Sequence, residues 1–406
     1  MKTLLKLVFR GWTWKIPLVL LIIAIVVVMR TVGGKQSRKQ LEERRKKKQD
    51  NCRRIPQDET IFVSVASYRD PECPATVFDC LEKASCPLRV YVGVCQQNYP
   101  VDVDVMQGYK RLARKKGTGD YSDQIRVLRL DAGQAQGPMY ARSAVEQQLY
   151  GGERYYLIID SHTLFTENWD VKAIEMLKKC PSPRSVLTMY PDDYHYRSGD
   201  NKTRPPSFLR LKKFNEQTGL PEVEGPPCAH LPTRPLPSLF WGGCFSFARA
   251  EMMKEVPYDP YCPYVFLGEE ISMAARLFTH GWDLYTPTEM LVRHMWARRR
   301  PTFWEQFTGN SKLHRHRQTL EHQGYRRLRH LFQLQALQEG DAPLGKYGLG
   351  RNRSLFDYQN YCGIDFLLQK ARPHAWIGVT ANPSVEEVMT KLGSMQEFQS
   401  QQIRHQ

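Results

Sequence analysis

Apolar residues in this chain fall into short runs set apart by polar, glycine- or proline-bearing stretches, and their spacing predicts alternating strands and helices. Buried strands are predicted over 60–66, 88–95, 125–130, 155–160 and 185–190. Helices are predicted over 74–84, with Pro74 in the first turn, and from Gly137-Pro138 to about residue 149. Residues 96–123 are polar and rich in Gly and Lys, and read as a surface excursion. Residues 191–238 carry many prolines and few apolar runs, which reads as a long functional loop or lid. Strand character returns over 240–249 around Gly242-Gly243, and 268–279 is an amphipathic helix stopped by Gly281. Near the end, Ser384 and Glu387 form a capping-box signal, followed by a Gln-rich tail. The alternation predicts an α/β sandwich around a mostly parallel sheet, with no internal repeat.

One run is of another kind. Residues 16–29 are uninterruptedly apolar, preceded by Trp12 and Trp14 and bracketed by Lys15 and Arg30. With its flanks the segment 14–32 reaches membrane-spanning length, and no small-x-small cleavage site follows it, so it reads as an uncleaved anchor. Basic residues lie on both sides of it, so the positive-inside count does not choose an orientation. The expected organisation is a short tail (1–13), an anchor (14–32), a basic stem (33–58) acting as a solvated spacer, a catalytic-size α/β domain (59–380) and a C-terminal tail (381–406).

The formal net charge of +16 suggests a nucleic-acid partner until it is located. Residues 1–54 carry 15 Lys and Arg against 3 Asp and Glu, leaving only +4 for the rest of the 406-residue chain. The charge belongs to the N-terminal appendage, which makes nucleic-acid binding unlikely as the role of the folded body. A second basic cluster, Lys312, Arg315, Arg317, Arg326, Arg327 and Arg329, interleaves with His314, His316, His322 and His330. It keeps one alternative open, a membrane-tethered, non-catalytic binding protein using its basic patches. Two glycosylation triplets, at Asn201 and Asn352, are compatible with a secretory lumen. Of the ten cysteines, Cys73, Cys80, Cys86 and Cys95 cluster without a C-x-x-C pair, which argues against a zinc ribbon and leaves disulfide pairing open.

The strand at 155–160 ends in Asp160-Ser161-His162. Side chains two apart on an extended chain point the same way, so Asp160 and His162 project together from the strand's C-terminal end, where ligands of open α/β sheets sit. One oxygen and one nitrogen donor suit a divalent ion such as Mn²⁺. A buried Asp capping the next turn beside an ordinary His fits the spacing as well.

The segments 61–70 (IFVSVASYRD), 137–142 (GPMYAR), 159–162 (IDSH), 268–270 (GEE), 293–296 (RHMW) and 347–350 (YGLG), in that order, resemble one family. It is the polypeptide N-acetylglucosaminyltransferases typified by the enzyme that modifies hydroxyproline on a ubiquitin-ligase adaptor, with membrane-anchored relatives acting on Thr or Ser. The resemblance covers about residues 59–370. It implies a GT-A-type fold with a Rossmann-like sheet flanked by helices, UDP-N-acetylglucosamine as donor, a protein or peptide hydroxyl as acceptor, a divalent cation (Mn²⁺ ahead of Mg²⁺), and retention of anomeric configuration. For an anchored member it also implies a Golgi or other secretory-pathway membrane.

Matched position by position, the family's metal motif falls on Asp160 and His162, and its later metal-binding histidine on His294. Nucleotide contact is expected at Ser67, Tyr68, Arg69, Arg142 and Ser161, with Arg142 near a helix N-terminus that favours an anion. Trp241, Gly242 and Gly243 are expected to wall the sugar pocket. Glu269 and Glu270 are expected near the sugar or acceptor as the catalytic pair. A same-face transfer and a double displacement through a carboxylate remain equally open.

Overall fold

The computed structural model describes residues 42–193, 204–297, 302–307 and 311–405. The short tail and the anchor expected at 14–32 lie outside them, and so does Asn201. Among the described residues no helix is long and apolar enough to cross a membrane.

The apolar runs become a sheet as their composition requires. Strands β1 (Ile61–Tyr68), β2 (Val90–Asn98) and β4 (Tyr155–Asp160) are nearly all buried on both faces, the signature of parallel strands covered by helices, whereas β3 (Ile125–Asp131), at the edge of the sheet, is mostly part-exposed. β1 runs parallel to both β2 and β4, and β2 to β3. Beyond β4 lie β5 (Thr163–Phe165), β6 (Ser185–Thr188), β7 (Asp192–Asp193), the hairpin β8 (Arg210–Phe214) and β9 (Pro221–Glu224), β10 (Leu236–Pro237), β11 (Phe245–Arg249), β12 (Asp283–Thr286) and β13 (Val292–His294). The main sheet has the order β10-β12-β6-β11-β4-β1-β2-β3. β11 enters antiparallel between β4 and β6, and β10 is an antiparallel edge. The sheet is therefore parallel in its first half and mixed in its second, less uniformly parallel than expected.

The hairpin β14 (Ile364–Asp365) and β15 (Lys370–Ala371), with helices α1 (42–54), α2 (Cys73–Lys83), α3 (Val105–Lys116), α4 (Pro138–Leu149), α5 (Trp169–Lys178), α6 (Glu251–Glu255), α7 (Glu269–Thr279), α8 (Ser311–Leu331), α9 (Leu355–Cys362), α10 (Pro373–Ile377), α11 (Val385–Leu392) and α12 (Met395–Arg404), completes the strands and α-helices of the described residues. Phe62 packs with Met139, Ala141 and Val145 of α4 on one face of β1. Ile61, Val63 and Val65 meet Val77 and Leu81 of α2 and Trp169 and Ile174 of α5 on the other. Truncating Phe62 to Ala at such a site costs ~3–5 kcal/mol.

Four expectations change. Residues 96–123 contain α3, whose buried Val105, Tyr109 and Ala113 recur every fourth residue behind an Asp104 N-cap. Residues 191–238 hold β7 to β10, so much of the expected loop is ordered as short strands. Strand character begins at Phe245 rather than at 240, and residues 240–244 are irregular. Ser384 caps α11, yet Glu387 does not reach back to complete a box; its carboxylate accepts from Thr380 and Lys391 instead.

Both ends of the described chain are docked. Within the expected stem, α1 is joined to the body by a Cys52–Cys86 disulfide. Arg45 donates to the carbonyls of Gly117 and Thr118 at the end of α3, and Lys48 pairs with Glu82 in the last turn of α2. The solvated spacer is corrected to this extent: α1 spends two of its basic residues closing helix C-termini. At the other end, α11 buries Lys391, 2% exposed, which donates to Glu387 and to the carbonyls of Pro237 and Gly378. The Gln-rich segment forms α12 behind a Ser394 cap.

Candidate active site

The register of two sheets creates the site. β1 and β4 run side by side, with Ala66 opposite Asp160, so the chain leaves the main sheet at Asp160. After a two-residue bend it forms β5, which pairs antiparallel with β13 and sets Thr163 opposite His294. Met295 N–H donates to the His162 carbonyl and fixes that alignment. Residues more than a hundred positions apart are thereby brought to one strand end.

Asp160, His162 and His294 each offer a donor atom, and the three atoms lie within 4.8 Å of one another. His294 Nε2 is 3.0 Å from Asp160 Oδ2, and the two imidazole rings are 4.5 Å apart, edge to face. Two cis ligands of an octahedral divalent ion with ~2.1 Å bonds stand about 3 Å apart, so this separation fits a shared cation. One carboxylate and two imidazoles also match the donor preferences of Mn²⁺.

His162 Nδ1 lies 2.7 Å from Asp70 Oδ2, and Ser161 Oγ donates to the same oxygen at 2.6 Å. A carboxylate accepts, so Nδ1 carries the proton and Nε2 keeps its lone pair for a ligand. Ser161 thus acts as a support beneath the triad, with its carbonyl held by Thr76.

Arg142, 4% exposed, is the electrostatic hub. Its Nη2 donates to Asp160 Oδ1 at 2.7 Å, while Nη1 is paired with Glu269 and also reaches Tyr258. Burial alone would raise the Asp160 carboxyl, but the His294 hydrogen bond and the Arg142 charge hold it well below the usual range. Burial pushes Glu269 up, with Arg142 opposing.

Glu270 accepts from the Tyr190 hydroxyl and from Gly243 N–H at 3.0 Å, and burial still lifts it to about 7. The glycine pair makes this possible. A Cβ at Gly243 would lie 2.7 Å from Arg142 Nη1, and one at Gly242 would lie 2.9 Å from Tyr190 Cε1.

The other residues of the expected site have these partners in the structure. Trp241 is fully buried, donates to Ser246 Oγ at 2.8 Å and packs against Tyr258, so it offers no face to a sugar pocket. Ser67 is buried and its carbonyl accepts from Gln97. Tyr68 packs edge-on against Phe303. Arg69 has a left-handed backbone (φ 46), costly for a residue with a Cβ, and forks onto Asp102 over the Tyr99 ring.

Asp70, Tyr190, Tyr258 and Trp296 join the site without having been assigned roles from sequence. Asp70 and Trp296 sit inside the quoted motifs, which was the available signal. Tyr190 and Tyr258 carried none, because only the fold turns them inward.

The basic cluster on α8 is largely neutralised: Arg317 pairs with Glu321, Arg326 with Asp341 and Arg327 with Asp259, while Arg329 donates to the carbonyls of Gln217 and Thr218.

A family model described as glycosyltransferase (GlcNAc) matches residues 60–116 and 106–368. No curated protein matches the chain in sequence. Among solved structures it is similar to GalNAc-T7 with UDP, GalNAc and Mn²⁺, at 15% identity and a TM-score of 0.45, over 67% of this chain and 48% of that one. It thus spans about half the length of that relative. Two further likenesses are to the mannosyltransferase PcManGT of Pyrobaculum calidifontis with GDP-Man and Mn²⁺ (10%, TM-score 0.38, 74% of each chain) and to S. aureus TarS 1-349 with UDP (12%, TM-score 0.35, 67% and 72%).

Proposed function

Because the chain belongs to the glycosyltransferase (GlcNAc) family, we propose that it is a metal-dependent, retaining GT-A enzyme that moves N-acetylglucosamine from UDP-N-acetylglucosamine to a hydroxyl of a protein acceptor: Thr, Ser or hydroxyproline. The observation that carries this reading is the convergence of Asp160, His162 and His294, with Arg142 behind them, at the C-terminal ends of the parallel strands. These three side chains would hold the cation, Mn²⁺ ahead of Mg²⁺. When bound there, a divalent ion neutralises charge developing on the departing diphosphate.

The protein's own groups do the rest. Asp70 fixes the His162 ring, and Arg142 keeps Asp160 ionised and acceptor-only. Glu269 is tied to Arg142, and Glu270 to Tyr190 and Gly243. That engagement is why we favour a same-face transfer, in which the departing phosphate oxygen takes the acceptor's proton, over attack by either glutamate.

We place the domain in the lumen of the Golgi or another secretory-pathway compartment, tethered through residues 14–32. The Cys52–Cys86 bond supports this, since such bonds persist in oxidising compartments. The neutralised arginines of α8 weaken the alternative of a basic binding protein.

The test is UDP release by the full-length chain with a panel of UDP-sugars and acceptor peptides, with Mn²⁺ or EDTA. The Asp160→Ala, His162→Ala double variant runs alongside. Metal-dependent release confined to UDP-N-acetylglucosamine and absent from the variant is expected. Release that persists in EDTA and in the double variant would falsify the assignment.

A further inference from the structure

The two adjacent glutamates at the start of α7 are each linked to a different member of the donor triad. Glu269 reaches Asp160 through Arg142. Glu270 reaches the other side through aromatic rings: the Tyr190 hydroxyl donates to Glu270, the Tyr190 and Trp296 rings lie 5.6 Å apart, and Trp296 lies 4.3 Å from the His294 ring. Trp296 is itself pinned, its Nε1 donating to the Pro191 carbonyl next to Tyr190 at 3.1 Å. Trp296 is nonetheless 48% exposed, so Tyr190 is the inner support of a partly exposed ring.

Tyr190 is held as a built part. Its N–H donates to Ser207 Oγ at 2.8 Å, and that hydroxyl donates back to the Tyr190 carbonyl at 2.6 Å. The ring lies against Gly242, where any side chain would strike it. No such arrangement is needed for a residue that merely follows β6.

We propose that Tyr190 is a positioning residue for the transfer reaction: its hydroxyl sets the Glu270 carboxyl, and its ring seats Trp296 against His294. The proposal rests on the glycosyltransferase reading above and adds the device that joins the acidic and metal-binding sides of the site. The groups that face Glu270 are the Tyr190 hydroxyl, Gly243 N–H, Glu269, Arg142 and Cys244. Of the three side-chain donors among them, Tyr190, Arg142 and Cys244, Tyr190 is the one that donates to it among the described residues.

The experiment separates the hydroxyl from the ring. Full-length protein labelled with ¹³C at the glutamate carboxyls is titrated, with the Glu270 signal assigned from Glu270→Gln. In Tyr190→Phe, loss of the donor to the carboxylate should raise the Glu270 midpoint by about one pH unit. The same loss should lower kcat about tenfold, with KM for the UDP-sugar within about twofold. Mn²⁺ affinity, read by electron paramagnetic resonance, should hold in Tyr190→Phe and fall about tenfold in Tyr190→Leu, where Trp296 loses its support. Gly242→Ala keeps every atom of both side chains and should move the Glu270 midpoint the same way by displacing the ring.

A Glu270 midpoint unchanged in a folded Tyr190→Phe protein overturns the proposal. So does Mn²⁺ binding that Tyr190→Leu leaves intact. A shifted midpoint in a protein that turns over no UDP-sugar upholds the Tyr190 link and counts against the enzymatic reading instead.

Discussion

Asp70 and His162 come from different strand ends, yet their side chains meet at 2.7 Å, with the carboxylate on the imidazole's Nδ1. The contact commits the ring's other nitrogen to a ligand, the arrangement by which proteins orient metal-binding histidines. Asp70→Ala should therefore weaken Mn²⁺ binding by about 10–100-fold. Asp70→Asn, which keeps an acceptor oxygen, should lose less. Electron paramagnetic resonance titration of free Mn²⁺ checks both, and equal binding by the alanine variant would remove Asp70 from the site.

Arg142 neutralises two carboxylates inside the protein. Arg142→Met leaves both without their cation and should cost ~3–5 kcal/mol of folding stability in urea denaturation. Combining it with Glu269→Leu should recover part of that loss, because the buried charge is removed with its partner. A double variant no more stable than Arg142→Met would contradict this account.

Glu146 lies on α4 away from the triad and accepts from Tyr258 N–H. Burial lifts its carboxyl to about 7, against that bond and the charges of Arg276 and Lys346. The folded state thus holds a proton that the unfolded chain releases near pH 4.5. Its contribution is intact below that pH and is lost as pH rises towards 7. After allowance for partial exposure the loss is ~2 kcal/mol. Glu146→Gln should match wild type at pH 4.5 and exceed it in stability at pH 8. Denaturant melts at the two pH values decide it.

The Cys52–Cys86 bond closes a separation of 34 residues, which the chain-entropy relation values at ~4 kcal/mol. With Cys52→Ser and Cys86→Ser, α1 should lose protection in hydrogen exchange while β1 to β4 keep theirs. Loss of protection throughout the main sheet would show instead that α1 is part of the cooperative core.

The sequence was most informative where period and composition agreed. The runs at 61–68 and 155–160 are apolar enough to admit only buried strands, and Asp160 and His162 follow from their end. α3 was hidden because Lys110, Arg111, Arg114, Lys115 and Lys116 mask its sparse apolar stripe, although Asp104 and the Val105, Tyr109, Ala113 spacing announce it. Trp241 illustrates the opposite error. An aromatic beside two glycines resembles a pocket wall, but the glycines make room for Arg142 and Tyr190 while the indole turns inward to Ser246. Arg69 has the right charge for a phosphate, and its pairing with Asp102 is visible only in the fold. Such partners are chosen by tertiary register, which no local window contains.

The clamped α1 helix also sets a length scale. Nine residues, 33–41, lie between the anchor expected at 14–32 and the first described residue of α1. However they are arranged, the ten steps from residue 32 to residue 42 span no more than about 36 Å. If residues 14–32 cross a bilayer, the closed Cys52–Cys86 bridge fixes the far end of α1 to the body, so unwinding of α1 can add no more than residues 42–51 to the tether. The domain is then confined to a thin shell above the lipid, and under the proposed activity its acceptors are met by lateral encounter in that shell rather than by search through the compartment's volume. Opening the bridge would release that end too and add the residues between Cys52 and β1 to the tether, making the reach of the domain a function of thiol chemistry.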